Sequence, residues 1–153
     1  MVSEGDPVPE VPFEGPDGSQ ATLAAWRGRP LVLYFYPKDD TTGCTREAQD
    51  FSALAGDFEA AGTALLGVSK DTARKHKAFT EKYALKVPLG SDPDGQLLEA
   101  FGAWVEKSMY GRKYMGIERS TFLIDGGGRI ARAWRKVKVA GHAQQVLEAA
   151  KSL

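Results

Sequence analysis

Residues 31–51 read LVLYFYPKDDTTGCTREAQDF, and the parsing of this stretch decides the fold. Leu31 to Tyr36 is a continuous apolar run between Pro30 and Pro37, the pattern of a strand buried on both faces. A polar turn, KDDTTG, follows it. Cys44, Ala48, Phe51, Ala55 and Phe58 then recur at helical spacing, with Gly56 as a late breaker. The stretch therefore predicts a buried strand passing through a short turn into a helix, and the single cysteine of the chain falls in that helix's first turn.

Outward from this unit, VPFEGPDGSQATL predicts an N-terminal β-hairpin turned by Gly15 to Gly18. TALLGVS is a second buried strand. DTARKHKAFTEKYAL is a helix with Thr72, His76, Phe79 and Tyr83 on its inner face, and VPLGSDPDG is a short strand and turn. Residues 102–118 lack a clean period and are predicted as a long loop, of the kind that often carries function. STFLID and RIARAWRKV, joined by GGG, form an antiparallel hairpin. HAQQVLEAAKSL is an amphipathic closing helix. The order implies an α/β protein with a mixed central sheet flanked by helices.

At 153 residues the expectation is one domain over residues 1–153, long enough to bury about two-thirds of the surface its unfolded chain exposes. Twenty basic residues balance 20 acidic ones, so no general attraction to nucleic acid or an anionic membrane is expected. The N-terminal MVSEGDPVPE is acidic and broken by proline, unlike a secretory signal, and no apolar run approaches the roughly 20 residues of a membrane span. A cytoplasmic location is expected. One cysteine excludes an intrachain disulfide, a CxxC pair and a cysteine-rich metal site, and His76 and His142 stand far apart without ligand spacing. Neither a metal nor a cofactor is predicted.

On spacing alone, a lone cysteine on the apolar stripe of a helix is a small buried hydrophobe. Its position points elsewhere. With Thr41 as N-cap, Cys44 is the third helical residue, where backbone N–H groups lack helical partners and carry partial positive charge. A thiolate there is stabilised by both. It takes the place that Glu holds in a capping box, accepting hydrogen bonds from the Thr41 hydroxyl and nearby amides. No histidine accompanies it, which argues against Cys/His acyl transfer but not against peroxide reduction, where the nucleophile is a thiolate already formed.

Pro37, Thr41 and Cys44 spell P-x-x-x-T-x-x-C, which resembles the active-site motif of the peroxiredoxins. LVLYFYPKDDTTGCTREAQDF, EKSMYGRKYMGIERSTFLID and WRKVKVAGHAQQVLEA, in this order and spacing, resemble the bacterioferritin comigratory protein (PrxQ) branch, and the similarity runs from about Gly5 to Leu153. The resemblance implies a thioredoxin-like fold and thiol-dependent reduction of hydrogen peroxide and organic hydroperoxides. It makes Cys44 the peroxidatic nucleophile, with Thr41 holding the peroxide, Pro37 shielding the thiolate and Arg119 stabilising thiolate and peroxide oxygens. Three departures stand out. Thr42 replaces a frequent proline, Ser52 replaces a frequent arginine, and Gln49 stands where many relatives carry a resolving cysteine, which others carry on the next long helix. The resemblance therefore implies a one-cysteine cycle, in which an external thiol (thioredoxin, glutaredoxin or a small thiol) reduces the Cys44 sulfenic acid. A monomer or weak dimer is expected.

Other residues carry plainer expectations. Glu47 is read as an acid complementing the helix dipole. Lys107, Arg112 and Lys113 are a solvated basic cluster, and Trp104, Tyr110 and Tyr114 either line the pocket mouth or pin the loop. Two rival functions use the same residues: a redox relay passing a disulfide from Cys44 to a partner protein, and a thioredoxin-fold binding module in which Cys44 is structural.

Overall fold

The computed structural model describes residues 2–153. Phe13–Glu14 (β1) and Gln20–Ala21 (β2) form the N-terminal hairpin, followed by a 3₁₀ turn at Leu23–Trp26. The apolar run becomes β3 (Leu31–Phe35), every residue of which is buried. Then come α1 (Thr42–Ala53), α2 (Ala55–Ala60), β4 (Ala64–Ser69), α3 (Ala73–Tyr83), β5 (Leu89–Ser91) and α4 (Gln96–Phe101). The chain closes with β6 (Trp104–Met109), β7 (Arg112–Ile117), β8 (Ser120–Ile124), β9 (Ile130–Trp134) and α5 (His142–Lys151). Among the described residues the main sheet has seven strands in the order β2-β1-β5-β4-β3-β8-β9. It is mixed, with β3 parallel to β4 on one side and antiparallel to β8 on the other.

Alternation along β3 builds two cores. Leu31, Leu33 and Phe35 pack with Leu97, Leu98, Phe101 and Phe122 on one face of the sheet. Val32, Tyr34 and Tyr36 pack with Cys44, Phe51, Phe58, Phe79 and Val146 on the other. Helices α1, α2, α3 and α5 cover this second face and α4 the first. A strand covered on both sides shows no polar alternation, which is why its sequence is uniformly apolar.

Two expectations need correction. Residues 104–117 are not a loop: β6 and β7 pair antiparallel in full register, from Trp104 opposite Ile117 to Met109 opposite Arg112. Tyr110 and Gly111 make the two-residue turn, both with positive φ (52° and 78°). The hairpin forms a separate two-stranded sheet, and most of its residues are exposed, so no apolar alternation marks it in the sequence. The break after α1 also comes at Leu54, before Gly56, which lies inside α2.

Candidate active site

Strand β3 delivers the chain to Pro37, and five residues without regular structure, 37–41, turn it into α1. Thr41 is the N-cap, with φ −103° and ψ 159°, and Thr45 N–H makes the first helical bond to the Thr41 carbonyl (2.8 Å). The amides of Thr42, Gly43 and Cys44 thus have no helical acceptor. Cys44 is the third helical residue, as the sequence predicts, and it is 2% exposed, at the edge of the core formed by Tyr34, Tyr36 and Phe51.

Arg119 arrives from the segment between β7 and β8, where its carbonyl accepts from Val137 N–H. Its guanidinium lies against α1: Nη2 is 3.4 Å from Cys44 Sγ, and Nη1 donates to Glu47 Oε1 at 2.6 Å. Cys44 and Glu47 are 75 and 72 residues from Arg119 in sequence, and the β3–β8 pairing brings them together. Pro37 is exposed at the start of the turn.

The Thr41 hydroxyl is not directed at the sulfur. It donates to the Lys38 carbonyl (2.8 Å), because Lys38 O lies three residues back across the turn. The expected Thr41–thiolate bond is therefore replaced by the guanidinium contact. Glu47 also departs from expectation. It lies beyond the first helical turn, is 1% exposed, and is the counter-ion of Arg119 rather than a solvated acid. Burial pushes its carboxyl up to about 7, against the opposing pull of Arg119. Burial also pulls Arg119 down, but Glu47 and Cys44 outweigh it and hold the guanidinium above its ordinary value. Sequence alone favours the helix-dipole role for Glu47 and does not show its ion pair with Arg119. Its one signal was its place three residues after Cys44, on the same helix face.

A family model described as the AhpC/TSA family matches residues 5–133. The chain belongs to this family, the peroxiredoxins. It is 50% identical to peroxiredoxin Bcp of Xanthomonas campestris over 143 residues, covering 94% of this chain and 89% of that protein. It is 44% identical to peroxiredoxin Bcp of Bacillus subtilis over 152 residues, 99% of this chain and 97% of that one. The crystal structure of a cysteine-to-serine mutant of Xylella fastidiosa PrxQ matches with a TM-score of 0.93 at 41% identity, covering 99% of this chain and 97% of that one. The thioredoxin-like peroxiredoxin fold and the PrxQ resemblance both stand. Solved mutants of X. campestris peroxiredoxin Q remove two different cysteines, so that protein has at least two, whereas this peroxiredoxin has one.

The departures find places in the fold. Gln49 is exposed on α1. The Ser52 hydroxyl accepts from the backbone N–H groups of Lys86 (2.9 Å) and Val87 (3.3 Å), tying α1 to the segment after α3. Tyr110 is 98% exposed at the hairpin tip, and Trp104 lies under Lys70.

Gly43 sets the guanidinium's approach. A Cβ there would lie 3.1 Å from Arg119 Nη2, tighter than ordinary contact. Gly43→Ala should therefore displace the guanidinium by a few tenths of an ångström and lower kcat/KM for peroxide by about tenfold. Alanine favours the helix over glycine by up to about 1 kcal/mol, so thermal stability should hold or rise. Activity and stability moving down together would contradict this.

His142 at the start of α5 is buried, with Nε2 2.8 Å from Thr121 Oγ1. Burial first, and then the Arg119 charge, lower it from 6.5 to about 4. The unfolded chain thus binds a proton between these values that the folded one refuses. Its contribution to stability is complete above 6.5 and is lost as the pH falls through about 4. Glu47 acts oppositely: the folded state keeps a proton that the unfolded chain releases between 4.5 and about 7, so its contribution falls as pH rises. Comparing His142→Gln with the parent cancels the Glu47 effect. The variant should lose less thermal stability between pH 6.5 and 4.5, and parallel profiles would refute the assignment.

Proposed function

We propose that this peroxidase reduces hydrogen peroxide and organic hydroperoxides at Cys44 and is recycled by an external thiol in the cytoplasm. The contact between Arg119 Nη2 and Cys44 Sγ at the first turn of α1 carries this reading. A guanidinium beside the sulfur stabilises the thiolate and, with the free amides of Thr42, Gly43 and Cys44, the charge that builds on the departing oxygen. The thiolate attacks the terminal peroxide oxygen. An S–O bond forms, the O–O bond breaks, and the leaving oxygen takes a proton to depart as water or alcohol, leaving a sulfenic acid. The Thr41 hydroxyl, whose hydrogen is committed to Lys38 O, would accept a hydrogen bond from the peroxide, and Pro37 would cover the turn against water.

Chemistry alone then demands a thiol from outside. A first thiol forms a mixed disulfide with Cys44 and releases water; a second releases Cys44 as thiol and leaves as disulfide. Thioredoxin, glutaredoxin and small thiols all meet this need. A monomer or weak dimer is the assembly this reading assigns. Peroxide consumption should be followed with each reductant supplied separately, together with the mass of Cys44. Turnover without oxygen or thiol ever appearing on Cys44 would overturn the reading. With peroxide in excess over thiol, sulfenic acid should pass to sulfinic acid and activity should decay in step. Sustained turnover with no two-oxygen mass gain would contradict that expectation.

A further inference from the structure

The five residues that orient Thr41 and Cys44 have no regular structure of their own, so something else must impose their shape. Helix α3 and its surroundings hold them at two consecutive positions. Asp39, 8% exposed, accepts from the Tyr36 hydroxyl at Oδ1 (2.5 Å) and faces His76 Nδ1 at Oδ2 (2.6 Å). Its backbone N–H donates to Asp71 Oδ2 (2.9 Å), which also accepts from the Ser69 hydroxyl. Asp40 adopts the left-handed conformation (φ 59°) and accepts from Lys82 Nζ (2.8 Å) and the Tyr83 hydroxyl (2.6 Å). His76, Lys82 and Tyr83 all belong to α3.

His76 is the interior member of this set, 5% exposed and fixed at both nitrogens. Nε2 faces the Gly90 carbonyl at 2.9 Å, and a carbonyl only accepts, so Nε2 carries a hydrogen. Nδ1 and Asp39 Oδ2 then share one proton at 2.6 Å, as imidazolium with carboxylate or imidazole with carboxylic acid. In either form the pair is neutral overall and joined to β5 through Gly90. We infer that His76, acting through Asp39 and Tyr36, is a positioning residue for peroxide reduction: it holds the 37–41 turn so that Thr41 and the first-turn amides of α1 stand where Cys44 and the peroxide need them. His76 does not touch the sulfur. The inference rests on the proposed reaction at Cys44.

The test separates the two half-reactions in the full-length protein, using hydrogen peroxide as oxidant and dithiothreitol as reductant. His76→Leu removes both hydrogen bonds and should lower kcat/KM for hydrogen peroxide by about ten- to a hundredfold, with kcat/KM for dithiothreitol kept within about threefold. Asp39→Ala should do the same, and the double variant should be no slower than the slower single one, because both break one connection. His76→Asn, whose amide nitrogen reaches the Nδ1 position, should recover activity to within about threefold of the parent. Tyr36→Phe deletes only a hydroxyl and reports in the same direction should His76→Leu fold poorly. Folded variants with an unchanged peroxide step overturn the inference. So does an equal fall in both half-reactions with no recovery in His76→Asn, the signature of general loosening. An inactive Cys44→Ser alongside unaffected His76 variants sinks the positioning role alone, whereas an active Cys44→Ser sinks the reaction on which it rests.

Discussion

Cys44→Ser should abolish peroxide consumption while leaving the fold in place. Serine is close to cysteine in volume and suits a first helical turn, so the core around Tyr34, Tyr36 and Phe51 should repack little. Its hydroxyl does not ionise near neutral pH and cannot take an oxygen atom as sulfur does. Rates should fall by at least about 10³-fold, to whatever the thiol achieves unaided. The parent should gain one oxygen on Cys44 after a single equivalent of peroxide and the variant none. Peroxidase activity retained in a folded Cys44→Ser protein would restore the binding-module reading, in which the sulfur is only packing.

Arg119→Met should produce the second largest loss, and with a separable stability effect. Removing the guanidinium deletes the donor 3.4 Å from Cys44 Sγ, which should lower kcat/KM for peroxide by about 10²–10³-fold. The same change strips Glu47 of its partner. Glu47 Oε1 loses its bond at 2.6 Å, and Oε2 has no protein partner to begin with. A carboxylate only 1% exposed would then be uncompensated. Because Arg119 is what draws Glu47 down toward about 7, its loss should push the carboxyl higher still. The stability cost should therefore be small at pH 5, where Glu47 is protonated in both proteins, and grow by about 1 kcal/mol toward pH 8. Adding Glu47→Gln should recover most of that stability and none of the activity. A double variant that regains peroxidase activity would show that Arg119 matters for folding rather than for the sulfur.

Both effects trace to side chains far apart in sequence, and this marks the limit of what local pattern can convey. The strand–turn–helix of residues 31–53 was legible because each part follows a short-range rule: an uninterrupted apolar run, a polar turn, a Thr N-cap, then helical spacing. Cys44 at the third helical position followed from the same counting. Arg119 stands out only through the resemblance of IERST to a known motif, since a lone arginine before a strand carries no signal of its own. Glu47 has an ordinary explanation in the helix dipole, as any carboxylate near a helix start does, and only the arrival of Arg119 across the β3–β8 pair changes it. The hairpin at residues 104–117 escaped for another reason. Hydrophobic periodicity reports which face of a strand is buried, and a ribbon exposed over most of its length has little to report.

Residue order by itself determined where the buried strands run, where α1 begins and which residue of the chain can act as a soft nucleophile. These follow from interactions spanning a few residues, along which the backbone has few choices. Only the tertiary structure decided what surrounds that nucleophile: the guanidinium beside Cys44, the carboxylate behind Arg119, and the Tyr36–Asp39–His76 connection beneath the turn. Such contacts join positions 3 to 75 residues apart once the sheet has closed, and their strength comes from burial that no single segment can provide.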